Sequence, residues 1–247
     1  MLRKLRELRR VIVTMRIHRH DPEDVAKGVH MIDALGALLG RGDRTMVSRM
    51  KASDQGRRLL DARKCSLDVL ADRAYLRSLP EGTLGRAYAH FADTNQLFPE
   101  KLAEAVREAR AATGGQVPGS TPEVAFLNDR YRDLHDIWHV VTGYGTDLAG
   151  EFGIVALQSK QVGYRAMAVT GFTSCLMTAL GQRRFDMLKT WFEGRRRGRD
   201  GAYLMGEDWD TLVQLPLQEV QKRLGFSEPP RYRPFDYAPT SAQPATS

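Results

Sequence analysis

The sequence predicts an all-α fold. Apolar residues recur at helical intervals along most of the 247 residues, and alternating runs of β-branched residues are scarce. The composition, 42% hydrophobic and 27% charged, is that of an ordinary globular chain. We therefore expect a single multi-helix domain over residues 21–226, preceded by a basic segment over residues 1–20 and followed by an extended Pro-rich tail over residues 227–247.

Basic charge is concentrated at the start of the chain. In residues 1–20, seven basic side chains against Glu7 leave +6 of the net charge of +7, so the other 227 residues together carry +1. The apolar residues of this segment recur at helical spacing: Leu5, Leu8, Ile12 and Met15. The pattern predicts an amphipathic helix on an anionic membrane surface, or a solvated helix packed on the core. Nucleic-acid binding is not expected, because the charge forms no broad surface.

Capping and breaker residues divide the domain into helices. Asp21 and Pro22 begin a helix that Gly40 closes, and Thr121 caps the helix that carries the motif described below. Residues 153–180 predict one long core helix rather than a membrane span, because the charged Lys160 and Arg165 interrupt the apolar stretch. The other helices are expected over residues 66–76, over residues 84–97 and from residue 99.

Two later segments have simpler interpretations. The basic cluster at residues 195–199 predicts a solvated turn, or a contact with lipid phosphates or an acidic partner. In the Pro-rich tail, the aromatic residues Tyr232, Phe235 and Tyr237 are expected to anchor the first half to the body.

The cysteines and the N-terminus favour a cytoplasmic protein. Cys65 and Cys175 lie far apart without metal-ligand spacing, which predicts two buried thiols in a reducing compartment. No long apolar stretch follows the basic segment, so secretion is not expected.

Four groups that bind divalent metals lie within seventeen positions. His135 and His139 are four residues apart, so on a helix both imidazoles can point to one place. Asp136 neighbours the second histidine, and Glu151 follows twelve residues after it. Because Asp136 stands where zinc peptidases have glutamate, peptidase chemistry is disfavoured. A partly exposed helix with two polar histidines is the alternative without a metal.

Glu151 can reach the histidines only if the helix ends between them. Twelve residues of continuous helix would place it about 18 Å from His139. The segment Gly143 to Asp147 supplies two glycines and a capping residue, so we expect a helical hairpin that carries the metal motif. Two imidazoles and two carboxylates suit zinc first, and iron, manganese or cobalt nearly as well.

The motif also carries a family resemblance. The segment over residues 130–144, with Glu151 after it, resembles the signature of the coenzyme Q biosynthesis protein 4 family, here a bacterial member. Residues 76–88 and 209–217 are similar to flanking segments of that family, and the resemblance covers about residues 20–226. It implies an all-helical, metal-binding protein of ubiquinone synthesis that holds a polyprenyl lipid and associates peripherally with the inner membrane from the cytoplasm.

Site residues follow from the resemblance by position. It implies four metal ligands: His135, Asp136, His139 and Glu151. Asp136 and Glu151 are the expected catalytic residues, alternating between metal ligand and proton acceptor. Tyr144 and Asp147 lie close enough in the sequence to contribute hydrogen bonds around the site.

The implied reaction is oxidative decarboxylation, in which hydroxyl replaces carboxyl at C1 of the head-group ring of a polyprenylated ubiquinone precursor. The alternative is a non-catalytic scaffold that presents prenyl lipids to other ubiquinone-biosynthesis proteins. A metal-dependent phosphohydrolase is a third class, but its extra ligands would be His90 and Asp186, which no spacing supports. The expected partners are the lipid precursor, an anionic membrane surface and the other pathway proteins, with a homodimer left open.

Overall fold

The prediction of an all-α fold is confirmed. The computed structural model describes residues 42–111 and 121–236, and within these ranges the regular structure is helical apart from one isolated bridge between Thr83 and Pro216. The basic segment, the helix expected from Asp21 to Gly40, and Tyr237 lie outside the described residues.

The helices of the described ranges, with one 3₁₀ turn over Leu204–Gly206, are α1 (Asp43–Lys51), α2 (Asp54–Ala62), α3 (Leu67–Ala71), α4 (Arg73–Ser78), α5 (Leu84–Thr94), α6 (Pro99–Ala111), α7 (Pro122–Asp133), α8 (His135–Thr142), α9 (Leu148–Val162), α10 (Arg165–Gln182), α11 (Asp186–Asp200), α12 (Trp209–Leu212) and α13 (Leu217–Leu224).

Two predicted helices are each divided in the structure. The helix expected over residues 66–76 is wrong as a single element, because the Asp72 side chain accepts a hydrogen bond from the amide of Tyr75 and starts α4. The core helix expected over residues 153–180 is likewise wrong. Gly163 has a φ of 71° and ends α9, and a Cβ there would lie 2.7 Å from Oγ1 of Thr45.

The basic cluster at residues 195–199 is not a turn. It continues α11 without a break, and Arg197 is buried and donates from Nη2 to the carbonyl oxygen of Glu228 at 2.9 Å. The neighbouring Arg199 is exposed and pairs with Asp200. The helix could not be recognised from the sequence here, because Gly198 faces another helix rather than solvent.

Helices α9 and α11 touch through their backbones. A Cβ on Gly194 would lie 2.3 Å from the carbonyl oxygen of Gly153, and one on Gly198 would lie 2.5 Å from that of Leu157. Separations this short leave no room for any side chain. Glycine at these positions therefore sets the distance between the two helices.

Replacing Gly194 with alanine is expected to lower the free energy of unfolding by roughly 1–3 kcal/mol, because the new methyl group forces the helices apart. Denaturant unfolding followed by circular dichroism measures the effect. Gly181 is the matched control, since a Cβ there meets nothing within 4 Å and alanine is the better helix former. Equal stability of Gly194→Ala and the wild type would contradict the close packing.

The core has two parts; α8 lies in the larger one, and α9 contributes to both, with Ile154 and Leu157 in the larger one. From α8, Ile137, Trp138 and Val141 belong to the larger cluster. From the start of α9, Leu148 and Phe152 belong to the smaller one. The two helices therefore share the larger cluster, and the first turn of α9 is packed in the smaller one as well.

Cys175 is buried, but Cys65 is exposed, so the prediction of two buried thiols is wrong for Cys65. It follows the C-terminus of α2, where Arg63 adopts a left-handed conformation. Among the described residues, no helix combines the length and the apolar character that crossing a bilayer requires.

Candidate metal centre

The motif occupies a short helix of its own. Thr121 does cap a helix, accepting a hydrogen bond from the amide of Val124, but this helix, α7, ends at Asp133. Leu134 interrupts the helix, and α8 begins at His135. The expectation that one helix from Thr121 carries the motif is therefore wrong, although the four-residue spacing of the histidines lies wholly within α8.

The turn after α8 has the capping chemistry that its residues predict. Gly143 has a φ of 78°, and its amide donates to the carbonyl oxygen of His139 at 2.8 Å. Asp147 then caps α9, where its Oδ1 accepts from the amides of Ala149 and Gly150, each at 3.1 Å. The chain reverses over this turn, so Glu151, in the first turn of α9, comes back to the histidines.

Three of the four predicted ligands converge. The two Nε2 atoms of His135 and His139 are 3.2 Å apart. Glu151 Oε2 lies 3.6 Å from the Nε2 of His135, and its Oε1 lies 3.7 Å from that of His139. Two ligands bound about 2.0–2.1 Å from a tetrahedral zinc ion lie roughly 3.3–3.4 Å apart. The three side chains therefore fit one divalent cation with small adjustments.

His139 is held rigidly in the form that binds metals. Its Nδ1 is 3.0 Å from the carbonyl oxygen of Tyr144, which can only accept, so the proton of a neutral ring resides on Nδ1 and Nε2 presents a lone pair. Burial lowers the pKa of the His139 imidazole and favours this neutral form. Phe91 stacks on the ring, with centroids 5.8 Å apart.

His135 is oriented by Gln158, a residue that the sequence analysis missed. The side-chain amide of Gln158 is buried and contacts Nδ1 of His135 at 2.8 Å, and Tyr131 contacts the other end of the amide at 2.7 Å. Because the amide oxygen and nitrogen can exchange places, the Gln158 oxygen can accept a hydrogen bond from the Nδ1–H group of His135 when Nε2 binds a cation. The sequence did contain one signal for this role. Gln158 follows Glu151 by seven residues, which puts both side chains on one face of α9.

Asp136 is not brought into this group. The ligand atoms that lie within 4.8 Å of one another come from His135, His139 and Glu151. Asp136 is buried, and its charge acts on Tyr88 of α5: burial raises the pKa of that phenol and Asp136 raises it further. Its roles as ligand and proton acceptor stay predictions.

The remaining candidates have other positions. Tyr144 contributes its backbone carbonyl, whereas its ring lies against Gly153. Asp147 caps α9 and acts on the site through that helix. Of the residues named for a phosphohydrolase, His90 is exposed on α5 and Asp186 pairs with Arg184 at 2.7 Å, and neither belongs to the ligand group.

Comparisons with known proteins agree with the motif and with the fold. Residues 26–230 match the family described as coenzyme Q (ubiquinone) biosynthesis protein Coq4. The Bos taurus protein named ubiquinone biosynthesis protein COQ4 homolog, mitochondrial, is 30% identical over 225 residues, which cover 86% of this chain and 73% of the bovine one. The corresponding homolog 1 of Culex quinquefasciatus is 29% identical over 236 residues, covering 91% and 78%.

A crystal structure of a protein from Nostoc punctiforme has the same fold. Its TM-score to this chain is 0.61 at 22% sequence identity, covering 91% of this chain and 97% of the other. The sequence match extends over most of the helical domain and includes the whole motif from His135 to Glu151. The chain therefore belongs to the Coq4 family of coenzyme Q (ubiquinone) biosynthesis proteins.

Proposed function

We propose that the protein is a metal-dependent oxidative decarboxylase of ubiquinone synthesis, which replaces carboxyl with hydroxyl at ring C1 of a polyprenylated precursor. The observation that carries the proposal is the convergence of His135, His139 and Glu151 to mutual distances that one cation can span. Family membership supports the substrate class, a polyprenylated intermediate that other proteins of the pathway supply and consume.

The donor set favours an enzyme over a scaffold. Two imidazoles and one carboxylate are the ligands of catalytic zinc sites, which keep a position for water or substrate, whereas structural sites are closed by four protein groups. Among the described residues this group offers three ligands. Zinc suits the set first, with iron, manganese and cobalt as alternatives. When bound, the cation supplies Lewis-acid polarisation of the ring carboxylate and its neighbouring phenolic oxygen.

Exposure distinguishes the three side chains. The His139 side chain is 1% exposed, whereas those of His135 and Glu151 are 25% and 15% exposed. Substrate therefore approaches from the side of His135 and Glu151, and His139 forms the closed wall of the site. Glu151 can hold the cation or accept the proton of the water that becomes the new hydroxyl, and Asp136 is the second proposed proton acceptor.

The overall change is a two-electron oxidation. The bond between the ring and the carboxyl carbon breaks, carbon dioxide leaves, and a carbon–oxygen bond forms with the oxygen of water. Dioxygen accepts the two electrons and, with two protons, becomes hydrogen peroxide. Zinc cannot exchange electrons, so with zinc the oxidant must be dioxygen acting on the activated ring.

The assay for this function uses the purified full-length protein loaded with zinc, iron, manganese or cobalt. A carboxylated prenyl-phenol is supplied in detergent under air, and the product is identified by mass spectrometry. Formation of the phenol with release of carbon dioxide is expected. Binding of the lipid without conversion under every metal, also when the other pathway proteins are added, would contradict the enzyme and favour the scaffold.

Helix α10 favours peripheral binding to an anionic membrane. Arg165 is its one charged residue, and a helix with so little charge is ordinarily buried on all sides. Within the described part of the chain, however, Val169 and Leu180 are 53% and 52% exposed, and Phe192 on the adjacent α11 is 59% exposed. Exposed cations lie near them: Lys189 and Arg196 line one cavity with Phe192, and Arg183 follows Leu180 by three residues. Apolar groups beside cations complement the surface of an anionic bilayer.

Replacing both Leu180 and Phe192 with glutamate is expected to weaken binding to vesicles rich in phosphatidylglycerol at least about tenfold, because apolar contact is lost and charge repulsion is added. Co-sedimentation measures the bound fraction. Phe98→Glu is the matched control, since Phe98 is 42% exposed on another part of the surface. Unchanged binding by the double variant, with loss only on deletion of residues 1–20, would assign the contact to the N-terminal segment. Loss of self-association alone would assign the face to a second copy.

A further inference from the structure

The segment after α13 crosses the turn of the metal centre. Pro230 packs against Gly143, where a Cβ would lie 3.0 Å from the Pro230 Cδ atom. The Tyr232 hydroxyl then accepts a hydrogen bond from the amide of Gly145 at 2.8 Å and donates one to Oδ2 of Asp147 at 2.7 Å. One hydroxyl therefore joins the middle of the turn between α8 and α9 to the residue that caps α9.

The next residues of the segment bind the start of α9. The amide of Phe235 donates to Oδ1 of Asp147 at 2.9 Å. Oδ1 of Asp236 accepts from the amide of Leu148 at 3.1 Å. The Asp147 carboxylate thus receives hydrogen bonds from its own helix and from residues more than eighty positions later, and the cap is shared between two parts of the chain.

Asp147 is coupled to Glu151 by one turn of helix. The Glu151 amide donates to the carbonyl oxygen of Asp147 at 2.8 Å, so a shift of the cap moves the first turn of α9 and with it the Glu151 carboxylate. That carboxylate is the only ligand of the group that comes from α9 among the described residues. Whatever holds Asp147 therefore sets the distance between Glu151 and the two histidines.

The segment is itself hydrogen-bonded to α11 and to the residues just before that helix. Arg197 donates to the carbonyl oxygen of Glu228 at 2.9 Å, before the crossing. Arg184 donates to the carbonyl oxygen of Arg233 at 3.0 Å, between the two contacts with Asp147. The segment is therefore held just before the crossing and again within it, so it can act as a fixed strap rather than as a passive tail.

We propose that Tyr232 is a positioning residue of the metal centre, and that the strap formed by residues 229–236 holds Glu151 at the distance that metal binding requires. The inference rests on the proposed function, because it assumes that the group of His135, His139 and Glu151 binds a cation. Tyr232 touches neither the cation nor the substrate. It acts through Asp147 and the first turn of α9.

The test is the metal affinity of Tyr232→Phe, measured with Zn²⁺ in competition against a chromophoric chelator. Loss of the hydroxyl leaves the Gly145 amide and one Asp147 oxygen without this partner, and the dissociation constant is expected to rise about 10- to 100-fold, as for other groups that orient metal ligands. Tyr203→Phe is the matched control. It removes a half-buried hydroxyl that donates to the carbonyl oxygen of Met46, and should leave zinc affinity unchanged.

Repeating the Tyr232→Phe substitution in the Glu151→Gln variant distinguishes a positioning role from a general effect on the structure. If the strap acts through Glu151, Tyr232→Phe has little further effect on zinc affinity in that background. Hydrogen exchange of the metal-free protein supplies a second readout: the amides of residues 148–150 should exchange faster in Tyr232→Phe at a temperature where circular dichroism shows both proteins folded.

The outcomes separate the strap from the metal site. Tight zinc binding by the wild type with the same affinity in Tyr232→Phe would overturn the strap's role alone. An affinity loss of equal size in the Glu151→Gln background would also overturn it, because the effect would then bypass Glu151. Absence of zinc binding by the wild type would overturn the metal centre itself, and the exchange rates would still report whether the strap holds the cap.

Discussion

Replacing His139 with alanine is expected to abolish tight metal binding. His139 is the most buried of the three converging side chains, and its Nε2 faces His135 at 3.2 Å. Structural zinc sites with four protein ligands bind with roughly 10–16 kcal/mol, so the loss of one ligand costs about 2.5–4 kcal/mol, or roughly 50- to 1000-fold in affinity. Metal analysis of the purified variant measures the zinc content per chain, and competition titration measures the affinity.

Two further variants control this experiment. His90→Ala removes an exposed histidine of α5 outside the ligand group and should keep full metal content. His139→Ala also removes the ring that stacks on Phe91, which lowers stability, so His135→Ala, at a more exposed position, tests the site with less disturbance of the core. Full zinc occupancy in both ligand variants would mean that the histidines do not form a metal centre.

Replacing Glu151 with glutamine is expected to lower the turnover of a carboxylated prenyl-phenol at least about 100-fold. Glutamine keeps the volume of the side chain but loses the negative charge and the ability to accept a proton, and general acid–base groups typically contribute about 10²- to 10⁴-fold. Turnover is measured as carbon dioxide released and phenol formed under single-turnover conditions. Glu219→Gln, on the exposed side of α13, is the matched control and should react at the wild-type rate.

The metal content of the same Glu151→Gln sample distinguishes two roles. Loss of zinc together with turnover assigns Glu151 to holding the cation, whereas retained zinc with lost turnover assigns it to proton transfer. Conversion at the wild-type rate would contradict the enzymatic proposal and leave the scaffold hypothesis. In that case the converging ligands would serve to hold α8 and α9 together.

Local patterns predicted the three residues that converge in the centre, together with Asp136, which does not join them. His135 and His139 share a helix face because four residues make about one turn, a relation that holds in any helix of sufficient length. Gly143 and Asp147 end one helix and start the next through hydrogen bonds within a few residues. Glu151 follows directly from that cap. The residues in these interactions lie close together in the sequence, so they can be recognised from one sequence alone.

Breaks within apolar runs were not recognisable in the same way. Residues 153–180 are mainly apolar, and only the close approach of Gly163 to Thr45 of α1 reveals why the helix ends there. The sequence around Gly198 of the basic cluster gave no local sign of a helix. Glycine is required at this position because the backbone of α9 lies against it. Helical periodicity indicates which face of a helix is buried. It does not indicate where a neighbouring element forces the helix to end, or where two helices pack in backbone contact.

The all-helical class, the pairing of His135 with His139 and the turn that reverses the chain are properties of the sequence by itself, because each depends on residues close together in the sequence. Only the tertiary structure decided that Glu151 joins the two histidines and that Asp136 does not. The orientation of His135 by Gln158 and the strap from Tyr232 to Asp147 exist only in the folded protein. Their partners are separated by 23 and 85 residues, and such hydrogen bonds form only after packing has brought the helices together.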